Sequence, residues 1–395
     1  MEGESMSEWK LLDLCIGKGK YGIAAPAVPR NNNLPTYLRI TDINDDGTVN
    51  KGSLCSVEDE NSKNYILKEN DIVFARTGNS TGRSYFYNKN DGELVYAGFL
   101  IKFSLNPNIV NPMILKYYTH SKPYYDWIHS FDTGATRGNI NAQTYANMPV
   151  VLPEKNVQDI IVHILSSLDA KIETNNKLNE KLEEMAQAIF KSWFVDFEPF
   201  KDRPFHETEL GMIPEGWEVG SILDIAELFD YQRKPLSSME REYMKGKYPY
   251  YGATSIMDYI DKYIFDGTYL LMGEDGSVVK ENGNPYLQYV WGKFWPNNHA
   301  HVMQGRNGFS TEMLYCLLSI TDVSSIVTGA VQMKISQRSM SRLLTVIPSK
   351  SVCKKFNKII RPIFDIIKRI REENDRLASL RDTLFPRLMS GEIKI

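Results

Sequence analysis

Thr133-Gly134-Ala135, Ile140 and Val151-Leu152-Pro153 decide how this chain is read, because Thr328-Gly329-Ala330, Ile335 and Val346-Ile347-Pro348 follow in the same order. Every member of the second set lies 195 residues beyond its counterpart, so the chain is a tandem repeat. The register continues without a gap into two helical runs. Val157, Ile161, Ile164, Leu168, Leu178, Leu182, Met185 and Ile189 fall on spacings of three and four, interrupted by Lys171 and Asn175. Val352, Phe356, Ile359, Ile363, Ile366, Ile370, Leu377, Leu380 and Leu384 do the same, interrupted by Glu373. Such spacing lays an apolar seam along one side of a helix and suits lengthwise packing on another helix. Each run makes a rod of roughly 50 Å at 1.5 Å per residue.

Charge suggests the partner of each rod. Glu154 to Glu198 holds five Lys against nine Asp and Glu, net −4, while Lys350 to Ile395 holds twelve Lys and Arg against six acids, net +6. Opposite signs favour pairing of these two helices with each other over self-pairing. Two separate helical hairpins or a homo-oligomeric coil are the alternatives. Rods that each follow a globular domain pair most simply antiparallel, with one domain at each end. Pro362 predicts a kink or a break in the second rod.

With 395 residues, 42% hydrophobic and 24% charged, the composition suits a soluble chain of two domains plus connecting elements. No stretch approaches an uninterrupted apolar membrane span, and Met1 to Lys10 is polar rather than signal-like, so a cytoplasmic location is expected. Cys15, Cys55, Cys316 and Cys353 lack C-x-x-C spacing, which indicates neither a zinc site nor a disulfide framework. A net charge of −3 is unlike a free-standing DNA binder. Any nucleic-acid surface is therefore local, or shared with a more basic partner.

The expected division is 1–153 for a first globular domain, 154–200 for a central helix, 201–349 for a second domain and 350–395 for a distal helix. In the first domain, Tyr37 to Ile40, Tyr65 to Leu67, Asp71 to Ala75 and Leu94 to Tyr96 are short β-branched or aromatic segments bounded by turn residues, which predicts strands. Met113 to His129 predicts helix, kinked or divided at Pro123. The class is mixed α and β, an α+β fold with strands dominating each domain.

Gly17-Lys18-Gly19-Lys20-Tyr21-Gly22 matches G-x-G-x-x-G, but Pro26 and Pro29 forbid a helix opening after it and no clear strand precedes it. A mobile basic loop is the better reading, with Lys18, Lys20 and Arg30 placed to meet DNA phosphates and Tyr21 a further candidate DNA contact. Arg76-Thr77-Gly78-Asn79-Ser80-Thr81-Gly82-Arg83 packs two Arg, an Asn and small hydroxyl residues into one turn after a strand. Arg reads guanine and Asn reads adenine by bidentate hydrogen bonds, so Arg76, Thr77, Asn79, Ser80 and Arg83 are candidate base contacts; an ordinary polar turn is the alternative. Arg137, Asn139, Asn141 and Gln143 form a second such cluster.

Ser192 to Phe200 is dense in aromatics, and either caps the rod against a domain or presents a patch to another subunit. Trp193, Phe194 and Phe197, with Phe385 and Leu388 on the second rod, are the candidate docking residues. Asp202 to Glu215 reads as a linker. In the second domain, residue type and loop position nominate Arg233, Lys234, Tyr250, Tyr251, Lys280, Asn298, His299, Gln332, Lys334, Gln337 and Arg338 as DNA contacts. Glu274 and Asp275 are adjacent, poorly arranged as a catalytic pair, and read as an Asp-Gly turn. His299 and His301 would share one face of a strand, which permits metal ligation, but no third ligand is in view and packing or DNA contact is preferred.

The chain resembles the specificity (S) subunits of type I restriction-modification systems, the HsdS family, over nearly its whole length. The resemblance rests on Gly19 to Val28, Asp71 to Gly78, Thr133 to Arg137 and Tyr250 to Thr254, and above all on the rod ends, Ala188 to Phe197 and Leu380 to Gly391. It implies two target recognition domains, each reading one half of a split asymmetric DNA sequence, and two long antiparallel helices that hold the halves apart. It also implies docking of two modification subunits, which carry AdoMet chemistry and methylate adenine N6, and of restriction subunits, which use ATP and Mg to translocate and cut DNA. The chain itself then carries no cofactor and catalyses nothing. The absence of any Pro-Pro dipeptide, and hence of the N/D-P-P-Y/F methyltransferase motif, agrees with that expectation, as does the absence of G-x-x-x-x-G-K-[ST]. A rod of roughly 50 Å matches about 15 base pairs. The two domains share little sequence beyond the repeated boundary, so the target is expected not to be a palindrome. A recognition subunit of another multi-subunit DNA enzyme and a protein-binding scaffold are the competing readings.

Overall fold

The computed structural model describes residues 6–132, 138–329 and 332–395. Thr133-Gly134-Ala135, Arg137 and Ala330 lie outside the described residues. Contacts divide the chain into two units, residues 1–173 with 374–395, and residues 174–373. Both divisions fall inside long helices, Lys155–Phe194 and Lys350–Met389, each of 40 residues. The helices exceed the apolar runs mainly at their C-terminal ends, where Phe190 to Phe194 and Phe385 to Met389 add a last turn each.

The two units repeat one topology. In the first, an antiparallel ribbon pairs Ser7–Lys10 with Pro149–Leu152, directly before the helix at Lys155. In the second, Glu218–Ser221 pairs with Leu344–Ile347 before the helix at Lys350. The main sheet of the first unit has the order Lys20–Tyr21, Leu100–Ser104, Asp71–Ala75, Ser84–Phe86, all antiparallel. Ala226–Leu228, Ala300–Gly305, Tyr269–Gly273 and Leu287–Val290 repeat that order in the second. Each unit adds a second four-stranded sheet containing one parallel pair, Thr36–Leu38 beside Leu94–Tyr96 and Lys245–Tyr251 beside Lys293–Pro296. The edges differ. Ala27–Val28 joins Cys55–Val57, whereas Phe265–Asp266 joins Lys293–Pro296.

Several local expectations are met with a different geometry. The helical stretch around Pro123 is two helices, Pro112–Tyr118 and Lys122–His129, with the proline in the first turn of the second, where its missing N–H costs nothing. Residues 202–215 are not a bare linker: Phe205–Thr208 and Gly211–Pro214 form a hairpin that buries Ile213. The second long helix continues through Pro362. That proline faces solvent, so the carbonyl it leaves unbonded is open to water, while Ile360, Ile363, Phe364 and Ile367 around it are buried and hold the helix by packing.

Within each unit the two long helices run antiparallel. In the second, Glu183 meets Arg371 and Phe190 meets Phe356, so the number rises on one helix as it falls on the other. The buried seam follows the periodic reading in part, with Ile161, Val352, Phe356, Ile363 and Ile370 buried as expected. Leu178, Met185, Ile359, Ile366 and Leu380 remain exposed, whereas Leu165, Ala186 and Phe190, outside that pattern, are buried together with Asn175 and Asn179. Each helix packs against its domain as well as against its partner, which turns the buried stripe toward both.

The candidate docking residues all make packing contacts within their own units. Phe190, Trp193, Phe194, Phe197 and Phe200 cluster with Trp217 and Phe356 in the core of the second unit. Phe385 and Leu388 are buried in the first, Phe385 against Tyr117. The rod ends thus cap their own domains. Phe194→Ala is expected to destabilise the isolated chain by about 3 to 5 kcal/mol in urea unfolding, with no partner present.

An ion cluster ties domain to helices in the first unit. Asp169 accepts from Lys116 Nζ at 2.5 Å, Tyr117 Oη at 3.0 Å and Arg381 Nη1 at 2.8 Å. Burial alone would push the Asp169 carboxyl up, but the Lys116 charge and the Lys116 and Arg381 hydrogen bonds outweigh it and hold it below the usual carboxylate range. The folded pKa lies below the unfolded one, so the cluster's contribution is complete above about pH 4 and fades as pH falls through the folded value. Asp169→Asn is expected to cost about 1.5 to 3 kcal/mol at neutral pH, with the difference from wild type shrinking in acid. An equal difference at pH 7 and pH 3 would contradict the ionic origin.

Candidate nucleic-acid interface

The central strand of each main sheet ends on a residue whose backbone is held from both sides. Asp71–Ala75 ends at Arg76, whose N–H donates to Phe99 O at 3.1 Å and whose carbonyl accepts from Ile140 N at 2.9 Å. Tyr269–Gly273 ends at Glu274, whose N–H donates to His299 O at 2.8 Å and whose carbonyl accepts from Ile335 N at 2.9 Å. Ile140 and Ile335 are the repeated isoleucines of the sequence. One backbone frame therefore presents Arg76 in the first unit and Glu274 in the second.

Around Arg76 the frame gathers residues far apart in the chain. Its guanidinium carbon lies 5.2 Å from the Tyr21 ring centre and 5.9 Å from that of Phe99. Tyr21 Oη accepts from Ala142 N at 3.1 Å, which brings the Asn139 to Gln143 segment to the same edge. Asn139, Asn141 and Gln143 are exposed, and Asn141 Oδ1 caps the short helix Ala142–Ala146 through Thr144 N. Lys18 and Lys20 are also exposed, but the glycine-rich stretch is not a free loop: Lys20–Tyr21 pairs with Ile101 and Lys102 at the sheet edge.

The remaining candidates of this unit are placed elsewhere. Arg83 Nε donates to Asp45 Oδ1 at 2.6 Å and Nη1 to Ile43 O at 3.0 Å, so its charge is spent on an internal loop. Ser80 is buried, Thr77 half-buried and Asn79 exposed. Arg30 is exposed and donates to Ser56 Oγ at 3.2 Å.

In the second unit the frame carries a charge network. Glu274 Oε2 accepts from Arg233 Nη1 at 2.6 Å, and Lys334 Nζ lies 3.4 Å from Glu274 Oε1. His301 is fully buried, with Nδ1 2.6 Å from Asp230 Oδ2 and Nε2 2.7 Å from Ile335 O. Gln337 Nε2 donates to the same Asp230 oxygen at 2.6 Å. Burial would raise the Asp230 carboxyl, but the His301 hydrogen bond and charge, the Val302 N–H and Gln337 hold it below its ordinary value. Outside this network, Gln332 Nε2 donates to Asp275 Oδ1 at 2.9 Å and half-exposed His299 lies 3.9 Å from Asp275 Oδ2.

These contacts revise the sequence reading in several places. Glu274 is no turn residue but an ion-pair partner; the turn is carried by Asp275 and Gly276, whose φ of +88° suits glycine. His299 does not join His301, because the buried His301 side chain is committed to Asp230 and Ile335. Asp230, Glu274 and His301 do bring their ligand atoms within 4.8 Å of one another. Arg233 and Lys334 already set two positive charges against the two carboxylates. Tyr250 is buried, with Oη taking the Leu236 N–H at 2.9 Å, and offers no face to a ligand. Tyr251 is half-buried against Phe294, and Lys234, Lys280, Asn298 and Arg338 are exposed. Phe99 and Asp230 escaped the sequence reading: Phe99 sits in a turn after the strand at Leu94, and Asp230 lies 71 residues from His301.

A model of the type I restriction modification DNA specificity domain matches the chain twice, over residues 4–184 and 214–378. The type I restriction enzyme MjaIX specificity subunit of Methanocaldococcus jannaschii is 25% identical over 71% of this chain and 69% of its own length. The type I restriction enzyme HindI specificity subunit of Haemophilus influenzae is 23% identical over 98% of this chain and 100% of its own. The crystal structure of the type I restriction-modification system S subunit from M. genitalium shares the fold, with a TM-score of 0.51 and 17% identity over 98% of this chain and 97% of that one. Two family domains, placed on two units that repeat one topology, make this chain a member of the type I restriction modification DNA specificity domain family.

Proposed function

We propose that the chain is the DNA-recognition subunit of a type I restriction-modification complex, each unit reading one half of a bipartite, asymmetric site. One observation carries this reading: the same backbone frame occurs twice with opposite chemistry, Arg76 in one unit and Glu274 in the other. Two different half-sequences call for a matched scaffold with unmatched side chains. Arg76, Asn139 and Gln143 offer the donors that suit guanine and adenine edges, and Gln332, Asp275 and His299 offer a different set. Lys18, Lys20, Lys280 and Lys334 supply cations for phosphates. The names of the relatives as specificity subunits support the same assignment.

In this reading each long helix passes from one unit into the other and acts as spacer. The exposed apolar side chains of Leu178, Met185, Ile359, Ile366 and Leu380 make the helices the seat for modification subunits. AdoMet, ATP and Mg then belong to partner subunits, and this chain contributes sequence recognition and no catalytic group.

Independence of the two halves is the test. In the assembled complex, Arg76→Ala is expected to weaken specific DNA binding by about 1 to 3 kcal/mol and to relax one half-site. Gln332→Ala with Lys334→Ala should alter the other half alone. Competition binding against duplexes changed in either half measures both, and loss spread evenly over the two halves would contradict the assignment.

A further inference from the structure

We propose that Phe99 is a specificity-positioning residue: with Tyr21 it holds the Arg76 guanidinium for one guanine in the half-site read by the first unit. The inference rests on the DNA-recognition reading and deepens it. Phe99 and Tyr21 are 55% and 42% exposed, a large apolar area to leave open at a strand end. Both rings lie within cation–π reach of Arg76.

Arg76 has no ion-pair partner among the described residues, and its Nε is buried without a hydrogen-bond acceptor. The contrast with other arginines near the two frames is direct, since Arg83 is paired with Asp45 and Arg233 with Glu274. A guanidinium held by rings rather than by a carboxylate keeps its hydrogen-bonding capacity for a ligand. The acceptor pair that fits its fork in duplex DNA is guanine O6 and N7.

The surrounding backbone fixes the arrangement. The Arg76 N–H is bonded to the Phe99 carbonyl, so ring and guanidinium rise from two hydrogen-bonded residues. Tyr21 is held by its strand pairing with Ile101 and by the Ala142 N–H on its hydroxyl. The tight approach of this strand to the turn before Phe99 depends on Gly22, where a Cβ would meet the Ala97 carbonyl oxygen at 2.2 Å. Rings that limit the rotation of a long side chain before binding lower the entropy lost on binding, so removing a ring should cost discrimination rather than fold. In the second unit the position matching Phe99 is His299, beside an acid already paired, and no such bracket forms there among the described residues.

The test uses the full chain with its modification subunits, selecting from duplexes randomised across the site. Wild type is expected to select guanine at one position of one half, and Arg76→Gln to abolish that preference alone. Phe99→Ala should reduce the preference at the same position roughly tenfold or more, leaving the other positions and the melting temperature unchanged, and Phe99→Tyr should retain it. A Phe99→Ala complex that weakens on all sequences alike, or that keeps full discrimination, overturns the role of Phe99. A position sensitive to Arg76 that is not a G·C pair overturns the guanine assignment. Absence of any sequence preference in the wild-type complex would overturn the recognition reading itself, and this inference with it.

Discussion

In each unit a carboxylate of the first long helix is held by an arginine of the second. In one it is Asp169 with Arg381, and in the other Glu183 with Arg371, each ion pair also meeting a tyrosine of its domain, Tyr117 or Tyr315. The acid lies on the same helix in both units, so pairing the first helix with a copy of itself would set acid against acid. The constraint makes the two helices partners within one chain. It also explains why the repeat is tolerant of sequence elsewhere, since the helix pair, the domain ribbon and the aromatic caps at the rod ends fix the frame independently of the loops.

On that frame, recognition chemistry is free to vary. The residue after the central strand is held by two backbone hydrogen bonds in both units, and neither bond depends on its side chain. Arg76 and Glu274 can therefore occupy one position without altering the sheet. The consequences differ in kind. Arg76 lies against aromatic rings with no ion-pair partner among the described residues, whereas Glu274 enters a network with the half-buried Arg233 and the exposed Lys334, next to the Asp230 and His301 pair.

Elements governed by local pattern were legible in the sequence with one exception, Tyr65 to Leu67, expected as a strand but forming the end of a short 3-10 helix and a single bridge at Ile66. The repeat offset of 195 announced both long helices, and it also relates Pro149 to Leu344 and Lys155 to Lys350, although the ribbons themselves were not read from the sequence. The strand Asp71–Ala75 was readable to the residue, from its apolar run between turn signals. What depends on distant partners was not. Part of the helix seam shifted because each helix must also face its domain, and Tyr250 proved buried because Leu236 and Arg241 close over it. Asp230 and His301 meet only through sheet pairing, and Phe99 gained its place from a strand crossing that no local spacing encodes. Among the polar loop residues, residue type was a poor guide to availability, because Arg83 and Arg233 looked as free as Arg76 until their acidic partners were located.

The central claim is that two unlike units on one chain read two unlike half-sites. Its most direct measurement is to co-express the chain with its modification subunit and map the methylated adenines by single-molecule sequencing. The account predicts a split, asymmetric motif with a gap of fixed length. A contiguous or palindromic motif, or no methylation from a stable complex with an active partner, would contradict it.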